Sequence, residues 1–246
     1  MATSFLPASV EMRLKVQREI WHRLAMEDER EKQAIQPAPF VTISRQYGCI
    51  AYDLADCLAQ RLNAEFPEWN FTIYDRKILE MMVDGEHCTA EVINSLSERT
   101  RGMIEDWVGH LLAGRPQEIR VFHHLATTLC SIAVLGQAIL IGRGGAAITR
   151  NIPTGIHVRL IAPIGRRIEN LRNYPDRANE ARIEIVKQAD KERENFVRKY
   201  LGVDVNDPEL YHLIMNNQFL TMEEQVEIIV KLVQEKYRNS VEISCV

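Results

Sequence analysis

Apolar and polar positions follow two alternating periods along this chain. Phe40-Val41-Thr42-Ile43 is a short run of β-favouring residues just after Pro37-Ala38-Pro39, and polar residues up to Gly48 follow it. From Ala51 the period lengthens: Leu54, Leu58, Ala59 and Leu62 recur at three- and four-residue spacing, which predicts a helix from Ala51 to about Asn63. Apolar runs at Phe71–Tyr74, Ala138–Ile141, Ile156–Ile161 and Leu210–Met215 predict four more strands. Residues 78–135 read as three helices, with breaks at Gly85, Gly109, Gly114 and Pro116 and one start at the capping box Ser95-Leu96-Ser97-Glu98. A second box, Thr221-Met222-Glu223-Glu224, opens a last helix with the stripe Val226, Ile229, Val230 and Val233; residues after Tyr237 are expected to fray. Strands alternating with helices give a three-layer α/β domain with a parallel sheet over residues 37–239, followed by a tail at 240–246.

Ahead of that domain, residues 1–36 form an N-terminal extension, helical over 8–34, in which Val10, Leu14, Trp21 and Leu24 keep a roughly heptad spacing. A stripe carrying a tryptophan needs something to bury it. Either it lies along the surface of its own domain, or it pairs with a second copy and makes a homodimer.

Composition narrows the class. The chain has 246 residues, 46% of them hydrophobic and 26% charged, enough for one domain with a substantial core. A net charge of −4 and a pI near 6.0 exert no global pull toward nucleic acid or an acidic membrane, so any anion site must be local. Five scattered cysteines, none in a C-x-x-C pair, read as a reduced cytoplasmic chain without disulfides or a zinc site. The start Met1–Ser9 lacks the pattern of a signal peptide, and the longest apolar stretch, Leu125–Leu140, is too short and too polar to span a bilayer.

The candidate chemistry lies where strands end. Strand, glycine loop and helix at 40–63 have the form of a phosphate-binding turn, in which free N–H groups and the helix dipole hold anionic oxygens. The pattern G-x-x-x-x-G-K-[ST] is not met, since Gly48 stands alone and no lysine follows. Asp75-Arg76-Lys77 follows the second strand, at the carboxyl edge where open parallel sheets bind ligands; alternatively Asp75 simply caps the next helix. Gly142-Arg143-Gly144-Gly145 with Ala147 scores as a dinucleotide-binding G-x-G-x-x-A, but the next strand follows too soon for a crossover helix and no acidic residue waits for a ribose. Residues 165–199 hold ten Lys/Arg against seven acids, so this helical segment is positive in a negative chain. His123-His124 are adjacent on a helix and point apart, and His87-Cys88 lack a third ligand, so neither pair forms a metal site.

Several of these stretches together resemble the cytidylate kinase-like family of P-loop proteins. Ile43-Ser44-Arg45-Gln46-Tyr47-Gly48 looks like the family's I-S-R-E-Y-G opening. Tyr74-Asp75-Arg76-Lys77-Ile78, Ile141-Gly142-Arg143-Gly144, Asp190-Lys191-Glu192-Arg193, Gly202-Val203-Asp204 with Asp207-Pro208, and Leu210-Tyr211-His212-Leu213 up to Asn216 follow in family order. The resemblance implies a P-loop kinase fold with strand order 2-3-1-4-5 and a helical lid at about 165–199. It implies phosphoryl transfer from ATP with Mg²⁺ to a nucleoside monophosphate such as CMP. Donor phosphates would lie on Ser44, Arg45, Gln46, Tyr47, Gly48, Cys49 and Tyr52. The acceptor would lie on Asp75, Arg76 and Arg143, and the lid's Arg167, Asp190 and Arg193 would serve the transition state; no protein residue is assigned to the metal. The family usually continues G-S-G-G-R, where this chain has Gly48-Cys49-Ile50-Ala51-Tyr52. Two flexible positions and a basic side chain are thereby lost, so the expectation divides between a kinase with a degenerate loop and a kinase fold that binds a nucleotide or a partner without catalysis, with an NAD(P)-binding protein as a minor alternative.

Overall fold

The computed structural model describes residues 8–27, 30, 38–84, 86–113, 120–142, 144–171 and 179–244. Helix α1 (Ala8–Met26) leads to β1 (Phe40–Arg45), α2 (Ala51–Glu65), β2 (Thr72–Tyr74), α3 (Arg76–Asp84), α4 (Glu86–Asn94), α5 (Glu98–Leu112) and α6 (Arg120–Leu135). Then come β3 (Ala138–Ile141), α7 (Gly145–Thr149), β4 (Gly155–Ile161), α8 (Ile164–Glu169), α9 (Asn179–Leu201), a 3₁₀ turn at Pro208–Leu210, β5 (Leu213–Asn216) and α10 (Met222–Ser244). The strands form one parallel sheet in the order β2-β3-β1-β4-β5. The fold class and strand order are those expected.

Alternate residues of each strand face opposite helical layers. Val41, Ile43, Ile139, Ile141, Val158 and Leu160 pack on Leu54, Leu58 and Leu62 of α2 and on Ile229, Val230 and Val233 of α10. Phe40, Ala138 and Leu140 face the other layer with Leu79, Val92, Ile104, Leu129, Ile148 and Val197. β1 lies between β3 and β4 and is covered on both sides, which is why its residues read as a continuous apolar run.

The helical region between β2 and β3 differs from expectation. Four helices stand there among the described residues where three were expected, and Gly109 lies inside α5 instead of ending it. A helical glycine costs only about 1 kcal/mol, and burial of Ile104 and Val108 on the same helix offsets the two that α5 holds, Gly102 and Gly109. The cap of α5 is Ser97, whose hydroxyl accepts from the Thr100 N–H at 3.3 Å, while Ser95 instead donates to the Val92 carbonyl at 2.7 Å. The box at Thr221 forms reciprocally: Thr221 N–H donates to Glu224 Oε2 at 2.7 Å and Glu224 N–H to Thr221 Oγ1 at 3.2 Å. β5 begins at Leu213, later than Leu210, because Pro208 opens a 3₁₀ turn there. α10 continues to Ser244, beyond the expected fraying point. No described helix is long and apolar enough to cross a membrane.

Trp21 of α1 is 1% exposed and stacks on Tyr74, with ring centroids 6.4 Å apart and planes at 22°. Arg18 makes a forked bond to Glu91 of α4, both contacts at 2.9 Å. The tryptophan of the stripe is thus buried within its own chain, while the side chains of Val10 and Leu14 lie outside the described residues.

Candidate functional site

At the carboxyl ends of β1, β3 and β4 the chain opens into a cleft of about 540 Å³, bordered by Arg45, Tyr47, Tyr52, Arg159 and Arg193. β1 delivers Ser44 and Arg45 to its floor, and the following turn is fixed by hydrogen bonds. Gln46 N–H donates to the Leu160 carbonyl at 3.0 Å, and Gln46 Oε1 accepts from Ala162 N–H at 3.0 Å, so both ends of this residue bind β4. Gly48 has φ +87°, and a Cβ on it would come within 2.5 Å of the Arg167 carbonyl, so only glycine fits.

The loop's donors are largely engaged. Tyr47 N–H donates to Asp190 Oδ1 at 2.6 Å, Cys49 N–H to the Gln46 carbonyl at 3.2 Å, and Ala51 N–H to the Cys49 carbonyl at 2.9 Å. The N-cap of α2, Ile50, has no capping side chain. An isoleucine cannot easily take the left-handed backbone that would turn these N–H groups toward one point. The loop is also anchored from behind: Arg167 pairs with Asp190 Oδ2 and donates to the Tyr47 carbonyl at 3.3 Å, and Asn170 donates to the Gly48 carbonyl at 2.9 Å. Arg167 is 9% exposed and stands behind the loop, so its placement is that of a buttress, not of a lid arginine over the cleft.

The cations, by contrast, face the cleft. Arg45 lies against Gly142, where any side chain would run into its guanidinium, and beside the Tyr52 ring at 6.0 Å. Burial first, and the nearby Arg193 second, pull its pKa down to about 10. Arg193 stacks over Tyr47 at 4.9 Å and stands 3.9 Å from Asp190; burial lowers its pKa as well, and its Nη1 is buried without a hydrogen-bond partner. Two guanidiniums thus line one half-buried space, in which Arg193 disfavours the charge of Arg45 while Asp190 and nearby tyrosines favour that of Arg193.

The remaining expected residues divide. Ser44, Arg45, Gln46, Tyr47, Tyr52, Arg76, Asp190 and Arg193 all border the cleft, while Gly48 and Cys49 shape the loop beside it. Asp75 caps α3, accepting from Ile78 N–H at 2.9 Å, and also takes the Tyr52 hydroxyl; burial followed by this carboxylate raises the Tyr52 pKa. Arg76 pairs with Glu80 at 3.1 Å. Arg143 and residues 172–178 of the expected lid lie outside the described residues, as do the side chains of His87 and Cys88. α7 has five residues, too few for the crossover helix of a dinucleotide fold, and β1 separates β3 from β4.

One group escaped the sequence reading. Arg159 of β4, 5% exposed, donates to Ser44 Oγ at 3.1 Å and to Asn206 Oδ1 at 2.6 Å, and sits 5.6 Å from the Tyr211 ring. The signal was an arginine inside the otherwise apolar run Ile156–Ile161. Among the described residues no group of three His, Cys, Asp or Glu side chains could hold a metal. The two carboxylates expected at the site, Asp75 and Asp190, are both engaged, so these two do not make a dedicated Mg²⁺ cage; such an ion is commonly held by substrate phosphates and water.

The profile of the cytidylate kinase-like family matches residues 40–218. An uncharacterized protein from Eubacterium ventriosum superposes with a TM-score of 0.61 at 13% identity, covering 80% of this chain and 98% of that one. A shikimate kinase from Bacteroides thetaiotaomicron gives a TM-score of 0.45 at 15% identity, covering 80% and 98%. A uronate isomerase from Corynebacterium glutamicum is 26% identical over 105 residues, 43% of this chain, and the chain spans about one fifth (20%) of that curated relative's length.

Proposed function

The chain belongs to the cytidylate kinase-like family, and on that premise we propose that it is a nucleotide kinase transferring the γ-phosphoryl group of ATP to a nucleoside monophosphate such as CMP. One observation carries the reading: two guanidiniums, Arg45 and Arg193, line one cleft of about 540 Å³, where burial lowers the pKa of both and Arg193 lowers that of Arg45 further, while Asp190 stands 3.9 Å from Arg193 Nη1 without a hydrogen bond to it. Burying like charges together is unfavourable until an anion joins them, and a transferring phosphoryl group gathers charge on its equatorial oxygens where forked donors can reach it.

In this reading Arg45 and Arg193 neutralise the phosphoryl group in flight, which is the main demand of such a reaction. Tyr47 orients Arg193 through its ring. Arg167 and Asp190 keep the loop in place and are positioning residues. The ATP phosphates rest beside Gly48 to Tyr52 at the start of α2, where the helix dipole adds a modest attraction. Mg²⁺, when bound with ATP, supplies charge neutralisation between phosphates.

The engaged N–H groups of Tyr47, Cys49 and Ala51 favour a second reading, nucleotide binding without catalysis. Incubation with radiolabelled ATP, Mg²⁺ and a panel of CMP, UMP, AMP and GMP separates the two. Label appearing in a nucleoside diphosphate supports the kinase. Nucleotide-dependent thermal stabilisation without label transfer supports binding alone, and neither signal overturns both.

A further inference from the structure

Arg159 takes no part in the transfer steps above, yet it is the more deeply placed cation. It stands opposite Ser44 in the β1–β4 register, at the same level as the start of the loop. Both oxygens that it reaches, Ser44 Oγ and Asn206 Oδ1, are neutral. Two carboxylates reach this network through Asn206 and not through Arg159: Glu194 accepts from the Asn206 side-chain amide at 3.0 Å and Asp204 from its backbone N–H at 2.9 Å. A guanidinium carries five N–H groups, and these contacts use two of them. A charge so buried and so weakly neutralised is expensive, and such groups persist where a ligand completes them. The Tyr211 ring beside it is held in place, its hydroxyl donating to the Val205 carbonyl at 2.8 Å. Thr42, Ala146 and Ala147 keep the cleft wall near it small.

The acceptor needs such an anchor. Asp75 and Arg76 are engaged in capping α3 and in a pair with Glu80, and neither is shaped to receive a phosphate. We propose that Arg159, positioned by Ser44 and Asn206 and flanked by Tyr211, seats the phosphate monoester of the acceptor nucleotide, while Arg45 and Arg193 face the donor. This rests on reading the cleft as a phosphoryl-transfer site. It also makes the acceptor a compact anion that enters beneath α9, alongside an aromatic ring able to stack on a base.

Calorimetric titration of CMP and, separately, ATP into the full chain tests the assignment, with Arg159→Gln and Arg159→Lys as variants and thermal melts as the check on folding. The glutamine variant should lose CMP affinity by about tenfold or more, the usual loss for a charge-assisted bond. The lysine variant should lose less, and ATP affinity should change by less than about twofold. A glutamine variant that melts cooperatively and binds CMP normally overturns the assignment, as does equal loss for ATP and CMP, or a wild type to which CMP does not bind. Should Arg159→Gln fail to fold, Asn206→Asp decides: it places a carboxylate against Arg159 and should itself weaken CMP binding, whereas unchanged binding overturns the proposal. CMP binding through Arg159 without phosphoryl transfer would leave the anchor standing and remove the kinase reading. Transfer in variants that bind CMP normally would do the reverse.

Discussion

The loop and the arginines around it border the same cleft in opposite ways. The N–H groups of Tyr47, Cys49 and Ala51 are turned inward, to Asp190, to the Gln46 carbonyl and to the Cys49 carbonyl. Beside it, Arg45, Arg193 and Arg159 hold their charge on the lining of the cleft with few acidic partners. A phosphate loop ordinarily draws much of its attraction from backbone N–H groups. On the reading proposed above, that capacity passes to side chains. On that reading Ile50 and Ala51 are the reason: they lack the backbone freedom of glycine, whereas a guanidinium fork needs no special backbone conformation.

The largest expected effect tests the arginine side of this contrast. Arg193→Ala should reduce phosphoryl transfer by ~10²–10³, the usual loss for one preorganised donor to developing charge. Steady-state assays with ATP and CMP would show it mainly in kcat. A loss confined to KM would mean that Arg193 binds ground state and transition state equally.

The loop side should respond less and in the other direction. Ile50→Gly, Ala51→Gly and Tyr52→Arg together restore backbone freedom and a basic side chain, and turnover should rise about tenfold. An unmodified protein already as fast as the restored one would show that the loop was never impaired.

The smallest effect concerns the wall behind Arg159. His157, two residues earlier on β4 and 2% exposed, meets Thr42 through Nδ1 at 3.0 Å, with the His212 ring 5.0 Å away and its Nε2 unpartnered. Burial, then His212 and Lys236, lowers its pKa from 6.5 to about 3. Between those values the unfolded chain binds a proton that the folded chain refuses, so stability present above pH 6.5 is lost as pH falls. Melting temperatures at pH 7.5 and 5.0 should therefore separate more for the wild type than for His157→Gln. An equal separation would mean that His157 titrates normally in the fold.

How much of this was legible depended on the range of the interaction. The strands, the α2 stripe and the Thr221 box depend on neighbours in sequence, and their periods showed them. The cap of α5 was misplaced by two residues because Ser95 and Ser97 offer the same chemistry, and only the chain's path decides which hydroxyl meets an N–H. Asp190 was singled out by resemblance, but its bond to Tyr47 spans 143 residues and no local pattern announces it. Arg159 had a visible signal, a charge within an apolar strand, whereas Asn206 sits in irregular chain and becomes meaningful only once the fold brings it to that arginine.

The division of labour between side chains and backbone can be observed directly by ¹H–¹⁵N NMR during titration with ATP. Arginine Nε–H resonances of Arg45 and Arg193 should move strongly, while the amides of Tyr47, Cys49 and Ala51, already bonded within the protein, should move little. Large downfield shifts of those three amides with unmoved arginine signals would contradict it, because the phosphates would then lie on the loop's backbone.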